Sequence, residues 1–479
     1  MSSLPWLTLS TIIWLQAIAG TNTDFPAYSS ELKSRLHITQ FKLNNLAVAS
    51  DAGKLLGWCA GFAAIRLPPL SLLVPASHRL LACICWLNVT GYRSVMRQFL
   101  RTDQGAVIAL TTSYMGLTAN IYLALAQVIV GRRNATRDKS IYLMLNAVTP
   151  AVVGLLVMPV VAAMREKPRN VKAGLLIMFV IAGTTGAYAV IETMFPAFRN
   201  SSEIWPALIL LVLLAVVIVV PVWKVGEGVM RVGREGERVG GDAEGGREEE
   251  VDRGKSENVN EVCELVKRMN FWIYFMVYMC GATLGLVYGN NLGQISESRG
   301  VSDSSLLSVY SSFGFFGRLA TAPLSTFFRS KYKATNTGAI AVLMFFMSVS
   351  FFVLLSPSNA ALFVSTAIIG LGSGAISSIA VSVSSELFGQ ENFSVNHNIV
   401  ISNIPIGSFF FGSIAALIYD RVGVEGGRGE SLCIAILSIV IYLRSSSSRP
   451  SFHEGDGDLP SEEDVMEMQP HGEEATLEA

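Results

Sequence analysis

The chain has 479 residues, 51% of them apolar and 15% charged, with a mean hydropathy of +0.46. Soluble domains carry about 25% charged residues, and a soluble chain this apolar would expose patches that aggregate. A polytopic membrane protein is expected and a soluble enzyme is all but excluded. The 36 Lys and Arg against 37 Asp and Glu give a formal charge of −1 and no basic field for nucleic acid. Six cysteines, none in a CxxC pair, form no disulfide framework.

A hydrocarbon core about 30 Å thick needs about 20 mostly apolar residues per helix. In chain order, such stretches are predicted near 5–25, 43–66, 80–99, 105–130, 140–164, 171–194 and 204–223. No Lys or Arg precedes Lys33, so the first stretch lacks the charged start of a cleavable signal and is expected to stay as a membrane helix. Residues 224–269 are rich in glycine and charge and cannot build a core, so a disordered cytoplasmic loop is expected. Further spans are predicted near 270–290, 304–328, 336–356, 360–385, 397–419 and, curtailed, 431–443. The final stretch, 444–479, is an acidic tail expected to be disordered. From His453 onward it holds ten acids and no Lys or Arg. The apolar runs are continuous rather than alternating, which selects helices over a barrel.

Setting aside the tail (−10) and residues 224–268 (−3) leaves the membrane body at +12. Arg97/Arg101, Arg165/Lys167/Arg169/Lys172, the central loop, Arg329/Lys331/Lys333 and Arg444 are each two spans apart. They therefore share one side, the cytoplasmic one by the positive-inside rule. Arg132, Arg133, Arg137 and Lys139 contradict the scheme, because their loop falls outside. Only three spans precede Arg97, which puts the amino end outside unless a helix is missing. Residues 67–79 (LPPLSLLVPASHR) are too short and proline-rich to supply one.

The two halves open alike. Gly20 is followed 34 residues later by Lys54 in Gly53-Lys54-Leu55, and Gly281 is followed 37 residues later by Arg318 in Gly317-Arg318-Leu319. Repeated halves with a site at mid-membrane are the architecture of secondary transporters. Charges there cost at least about 2.5–3.5 kcal/mol each, so Asp51, Lys54 and Arg318 should face the interior or an aqueous cavity. Asp51 and Lys54, at i and i+3, also suit a structural ion pair. Arg318 has no acid nearby on its own helix, and its fork suits a carboxylate, so substrate contact and structural anchoring both stay open. Gly281, Gly285, Gly289 and Gly293 recur every fourth residue, as helix packing or sliding requires. Pro405 falls within the 397–419 span, where a proline frees a backbone carbonyl that can line a cavity. No P-loop is present, and His37, His78, His397, His453 and His471 show no metal-ligand spacing, so neither a cofactor, a metal nor catalysis is expected.

The segment WLQAIAGTNTDFPAYSSELKSRLHITQFKLNNLAVASDAGKLLGW (14–58) resembles the opening of the plant nodulin-like membrane proteins. CGATLGLVYGNNLGQISESRG (280–300), SSFGFFGRL (311–319), STAIIGLGSGAISSIAVSVSSELFG (365–389) and NFSVNHNIVISNIPIGSFFFG (392–412) resemble that family's second half, which includes the nuclear fusion defective proteins. The resemblance implies a major facilitator superfamily fold, two helical bundles rocking about a central cavity. The second half is also similar in style to monocarboxylate and oxalate carriers. That similarity implies an anion-contacting role for Arg318. Family members carry a further apolar span before LACICWLNVTGYRSVMRQF (81–99), where this chain has about a dozen residues.

The expectation is therefore an all-α, two-bundle membrane protein of about 12–13 spans, one amino-half helix short. Its parts would be an amino bundle (1–223), a polar loop (224–269), a second bundle (270–443) and a tail (444–479). Alternating-access transport of a small solute, an anion among the candidates, would use Lys54 and Arg318, with Asp51 neutralising Lys54 or carrying a coupling proton. The membrane would be the plasma membrane or an endomembrane. The rival is a non-transporting receptor or scaffold, or a truncated, inactive family member.

Overall fold

The computed structural model describes residues 4–56, 101–131, 134–135, 138–162, 171–195, 204–218, 267–332, 336–388 and 393–422. The gap at 67–79, the span at 80–99, the curtailed 431–443 span, the tail and nearly all of the central loop lie outside these residues.

Among the described residues the secondary structure is helical throughout. The amino half holds α1 (Leu4–Ala19), α2 (Phe25–Leu36), α3 (Gln40–Asp51) with a 3-10 turn (Ala52–Leu56), α4 (Arg101–Gly116), α5 (Thr118–Val130), α6 (Ser140–Ala162), α7 (Val171–Met194) and α8 (Trp205–Val216). The carboxyl half holds α9 (Met269–Asn290), α10 (Leu292–Ser298), α11 (Asp303–Tyr332), α12 (Asn336–Val353), α13 (Asn359–Phe388), α14 (Phe393–Ile401) and α15 (Asn403–Val422). Six helices among the described residues are long and apolar enough to cross a membrane, seven if the α4–α5 pair, bent by 43°, is one span. Their outward faces are apolar: Leu155 and Leu156 on α6, Phe345 and Phe346 on α12, and Phe409 and Phe410 on α15 are all exposed. In water that surface would aggregate; in lipid it is solvated.

Three predicted spans are interrupted and a fourth is ended, each for a local reason. Between α1 and α2 the carbonyl of Gly20 accepts both the backbone N–H (2.8 Å) and the hydroxyl (2.6 Å) of Thr23, closing a turn in place of the helix ladder. After α4 the carbonyl of Gly116 accepts the hydroxyl of Ser311 from α11 at 2.6 Å. At Asn291, between α9 and α10, the side-chain amide turns back onto the Val287 carbonyl at 2.8 Å. The break at Ser402 lies opposite Pro405, whose ring cannot donate to, and clashes with, the carbonyl four residues earlier, that of Ile401.

Two apolar cores lie side by side. One gathers Trp6, Leu9 and Ile13 of α1 with residues of α4, α5, α7 and α8. The other gathers Tyr274, Tyr278 and Tyr288 of α9 with residues of α11, α12, α13 and α15 and, from the amino half, with Tyr122 and Leu123 of α5 and Ile141 and Tyr142 of α6. Helix α11 serves both, because Phe315 and Leu319 belong to the first core and Leu306 and Leu307 to the second. That shared helix carries Arg318.

Candidate functional site

The halves meet along a polar seam. At one end, Lys139 ahead of α6 pairs with Asp303 at the start of α11, and Gln294 of α10 donates to Ser29 (3.3 Å) and Ser30 (3.4 Å) of α2. The loop cation that contradicts the charge scheme thus has a specific acidic partner in the other half. Alongside, Gln40 of α3 donates to Asn291 at 2.8 Å, and Asn44 donates to the Gly412 carbonyl of α15 at 3.0 Å. The carboxylate of Asp420 in α15 accepts the backbone N–H groups of Gln40 (3.1 Å) and Phe41 (3.2 Å), the first turn of α3. A carboxylate there satisfies orphan donors and suits the positive helix end. A crevice lined by Asn44, Asn290, Asn291, Ser408 and Gly412 opens at this place. Halfway along the seam, Asn120 donates to Ser312 at 2.7 Å; farther along, Thr112 donates to Ser378 at 3.2 Å.

Arg318 stands at this crossing. It is half-buried in the middle of α11, and its Nη1 donates to the Gly314 carbonyl at 3.3 Å. Across the seam its neighbour is Gly116. A Cβ there would lie 2.6 Å from the Arg318 Nη1 and 2.8 Å from the backbone nitrogen of Phe315. Only a glycine admits α11 so closely, and that closeness brings the guanidinium against the amino half.

Lys54 and Arg318 differ in setting despite the shared Gly-(Lys/Arg)-Leu. Arg318 is inside a continuous 30-residue helix, whereas Lys54 lies on the 3-10 turn that follows α3. Lys54 pairs with Asp51, whose side chain is 1% exposed against 31% for the lysine. Asn22, from the break in the first span, donates to the same Asp51 oxygen. The other oxygen, Oδ2, is buried with no hydrogen-bond partner among the described residues. The charge of Lys54 is thus taken up within the amino half, and Lys54 and Arg318 are not joined.

The glycine stripe of α9 faces three different helices. A Cβ on Gly281 would meet Met344 of α12, one on Gly285 would meet Ser373 of α13, and one on Gly289 would meet the Tyr310 ring of α11 at 3.1 Å. Tyr310 also donates its hydroxyl to the Gly285 carbonyl at 2.9 Å.

Sequence reasoning misses Asp24, which is fully buried and accepts the Asn146 amide of α6 on both oxygens (3.1 and 3.0 Å). The signals were present: an acid at the edge of the first apolar span, and an asparagine inside the span at 140–164. For Gly116 there was no signal, because its role depends on a helix from the other half.

The residues 5–83 and 80–223 match the family model described as Nodulin-like, and 254–441 match that described as NFD4, C-terminal domain. The first match divides at 80–83, beside the stretch where the sequence runs a span short. Protein NUCLEAR FUSION DEFECTIVE 4 of Arabidopsis thaliana is 33% identical over 476 residues, covering 87% of this chain and 80% of that protein. Among solved structures, a proton dependent oligopeptide transporter matches with a TM-score of 0.52 at 11% identity, over 93% of this chain and 97% of that one. A peptide transporter of the POT type in complex with sulfate matches at 0.50 and 13%, over 92% and 93%. These likenesses establish the fold, all-α, polytopic and major-facilitator-like. By family models covering both halves and by its Arabidopsis relative, the chain belongs to the nodulin-like, NUCLEAR FUSION DEFECTIVE 4-type family of membrane proteins.

Proposed function

We propose that this protein is a secondary transporter that moves a small anionic solute by alternating access, with Arg318 contacting the anion. The observation that supports this most directly is the place of Arg318, at mid-helix on an element that contributes to both cores and against Gly116 of the opposite half. An anion bound there would touch both halves at once, so its binding energy could differ between two arrangements of the seam, which is what a transport cycle requires. In this reading Asp51 and Lys54 form a paired structural support for the break in the first span, with Asn22 as its third member. The glycines 281, 285 and 289 would let α9 shift against its three neighbours.

The test is uptake of a panel of labelled small carboxylates by vesicles carrying the purified chain. Arg318→Gln should abolish uptake of any carboxylate that enters, and Arg318→Lys should retain a fraction, because a point charge replaces the fork. Uptake unchanged in Arg318→Gln would remove the assignment. The split of the family match at 80–83 favours the rival, a non-transporting scaffold, and no uptake across the panel would support it.

A further inference from the structure

Two acids at helix ends have a lysine, Asp51 with Lys54 and Asp303 with Lys139. Asp24 is as fully buried as Asp51, yet no Lys, Arg or His is bonded to it among the described residues. It occupies the N-cap position of α2, where a carboxylate ordinarily binds the first N–H groups of the helix, yet its side chain makes no capping bond. It turns to Asn146 of α6. Around it stand the phenols of Tyr28 on α2, Tyr122 on α5 and Tyr142 on α6, with the Lys139–Asp303 pair beyond Tyr142 and the Asp51–Lys54 pair beyond Asn22.

A buried carboxylate without a cation is costly in this setting, and a neutral carboxyl is not. The hydrogen bonds agree. The Asn146 Nδ2 serves both Asp24 oxygens while its own Oδ1 is buried with no partner among the described residues. Protonated, Asp24 gains an O–H donor. A half-turn of the amide, whose two ends scatter alike, would let Oδ1 accept it and leave Nδ2 facing the Tyr28 side. The Tyr28 phenol, which also interacts with Asn146, is the other donor near that orphan.

We propose that Asp24 is a proton-binding site, its carboxyl protonated at the closed seam and held by Asn146 at the break in the first span. Resting on the transport reading, this is the proton the cycle exchanges. Parting of α2 from α6 and α10 would admit water to Asp24 and release it.

Infrared spectroscopy of the full-length protein in lipid vesicles tests the site without any transported solute. At neutral pH a carboxylic-acid C=O band is expected. It should shift on isotope labelling of aspartate, vanish in Asp24→Asn and persist in Asp51→Asn. Asn146→Leu keeps the acid and should move the band to higher wavenumber as its hydrogen bond is lost, which guards against a misfolded Asp24→Asn. No such band in the wild type at neutral pH, or the same band in folded Asp24→Asn, would overturn the site. Failure to find a solute would overturn the transport reading and leave this band in place.

Discussion

Asp51 and Lys54 share one ion pair unequally, since the acid is sealed and the lysine is a third exposed. Removing the lysine should therefore hurt more than removing both charges. Breaking a buried pair costs about 3–5 kcal/mol when one charge is left alone, and the exposure of Lys54 lowers that toward about 1–3 kcal/mol. Lys54→Met should lower the thermal midpoint in detergent, and adding Asp51→Asn should recover much of the loss; an additive double variant would show that the pair is not coupled. Gly116 makes a different residue-scale prediction. A methyl there meets the backbone of Phe315 as well as the movable Arg318 guanidinium, so Gly116→Ala should cost about 1–3 kcal/mol by forcing α4 and α11 apart. Gly53, which has nothing within 4 Å of its Cβ position, should tolerate the same change. Equal midpoints for the two variants would contradict the close crossing.

At the scale of elements, the spans were legible and their interruptions were not. Lipid demands a continuous apolar run, so 171–194 is α7 to the residue and 270–290 differs from α9 by one residue. The breaks at Gly20–Asp24 and Gly116 were hidden, because a carbonyl diverted to a threonine hydroxyl or to another helix leaves the apolar pattern intact. Pro405 was the exception, with its effect falling where proline geometry places it. Pro405→Ala restores a donor to the Ile401 carbonyl, so α14 and α15 should fuse and the amides near 401–405 exchange more slowly; unchanged exchange would assign the break to tertiary packing. The interhelical pair Lys139–Asp303 is a further element-scale test. Reversing one charge should weaken the closed end of the seam, and reversing both should restore it, as read by protease protection of the connection before α6.

Among the described residues, two large apolar cores are joined by polar contacts and by two helices, α5 and α11, that contribute to both. Hydroxyls, amides and glycines run along an interface that also carries apolar residues, since the carboxyl-half core takes in Tyr122, Leu123, Ile141 and Tyr142 of the amino half and the amino-half core takes in Phe315 and Leu319. Composition and charge foretold a helical membrane body, while the Gly-(Lys/Arg)-Leu repeat put a cation in each half and gave no sign that Lys54 would lie on a 3-10 turn paired within its own half and Arg318 against Gly116. Pairing across the seam could not be foreseen, because it joins residues hundreds of positions apart, as in Gln40 with Asn291 and Asn44 with Gly412. That the halves move about this seam is the central claim, and a distance across it tests the claim most directly. Spin labels at Ser34→Cys, in the last turn of α2, and Ser302→Cys, ahead of α11, both exposed, would report it in a chain whose six native cysteines are replaced. Two distances in exchange are predicted in lipid vesicles, with the longer one more populated when Lys139→Ala removes the pair to Asp303. A single distance unaltered by Lys139→Ala would contradict the account and leave a rigid scaffold.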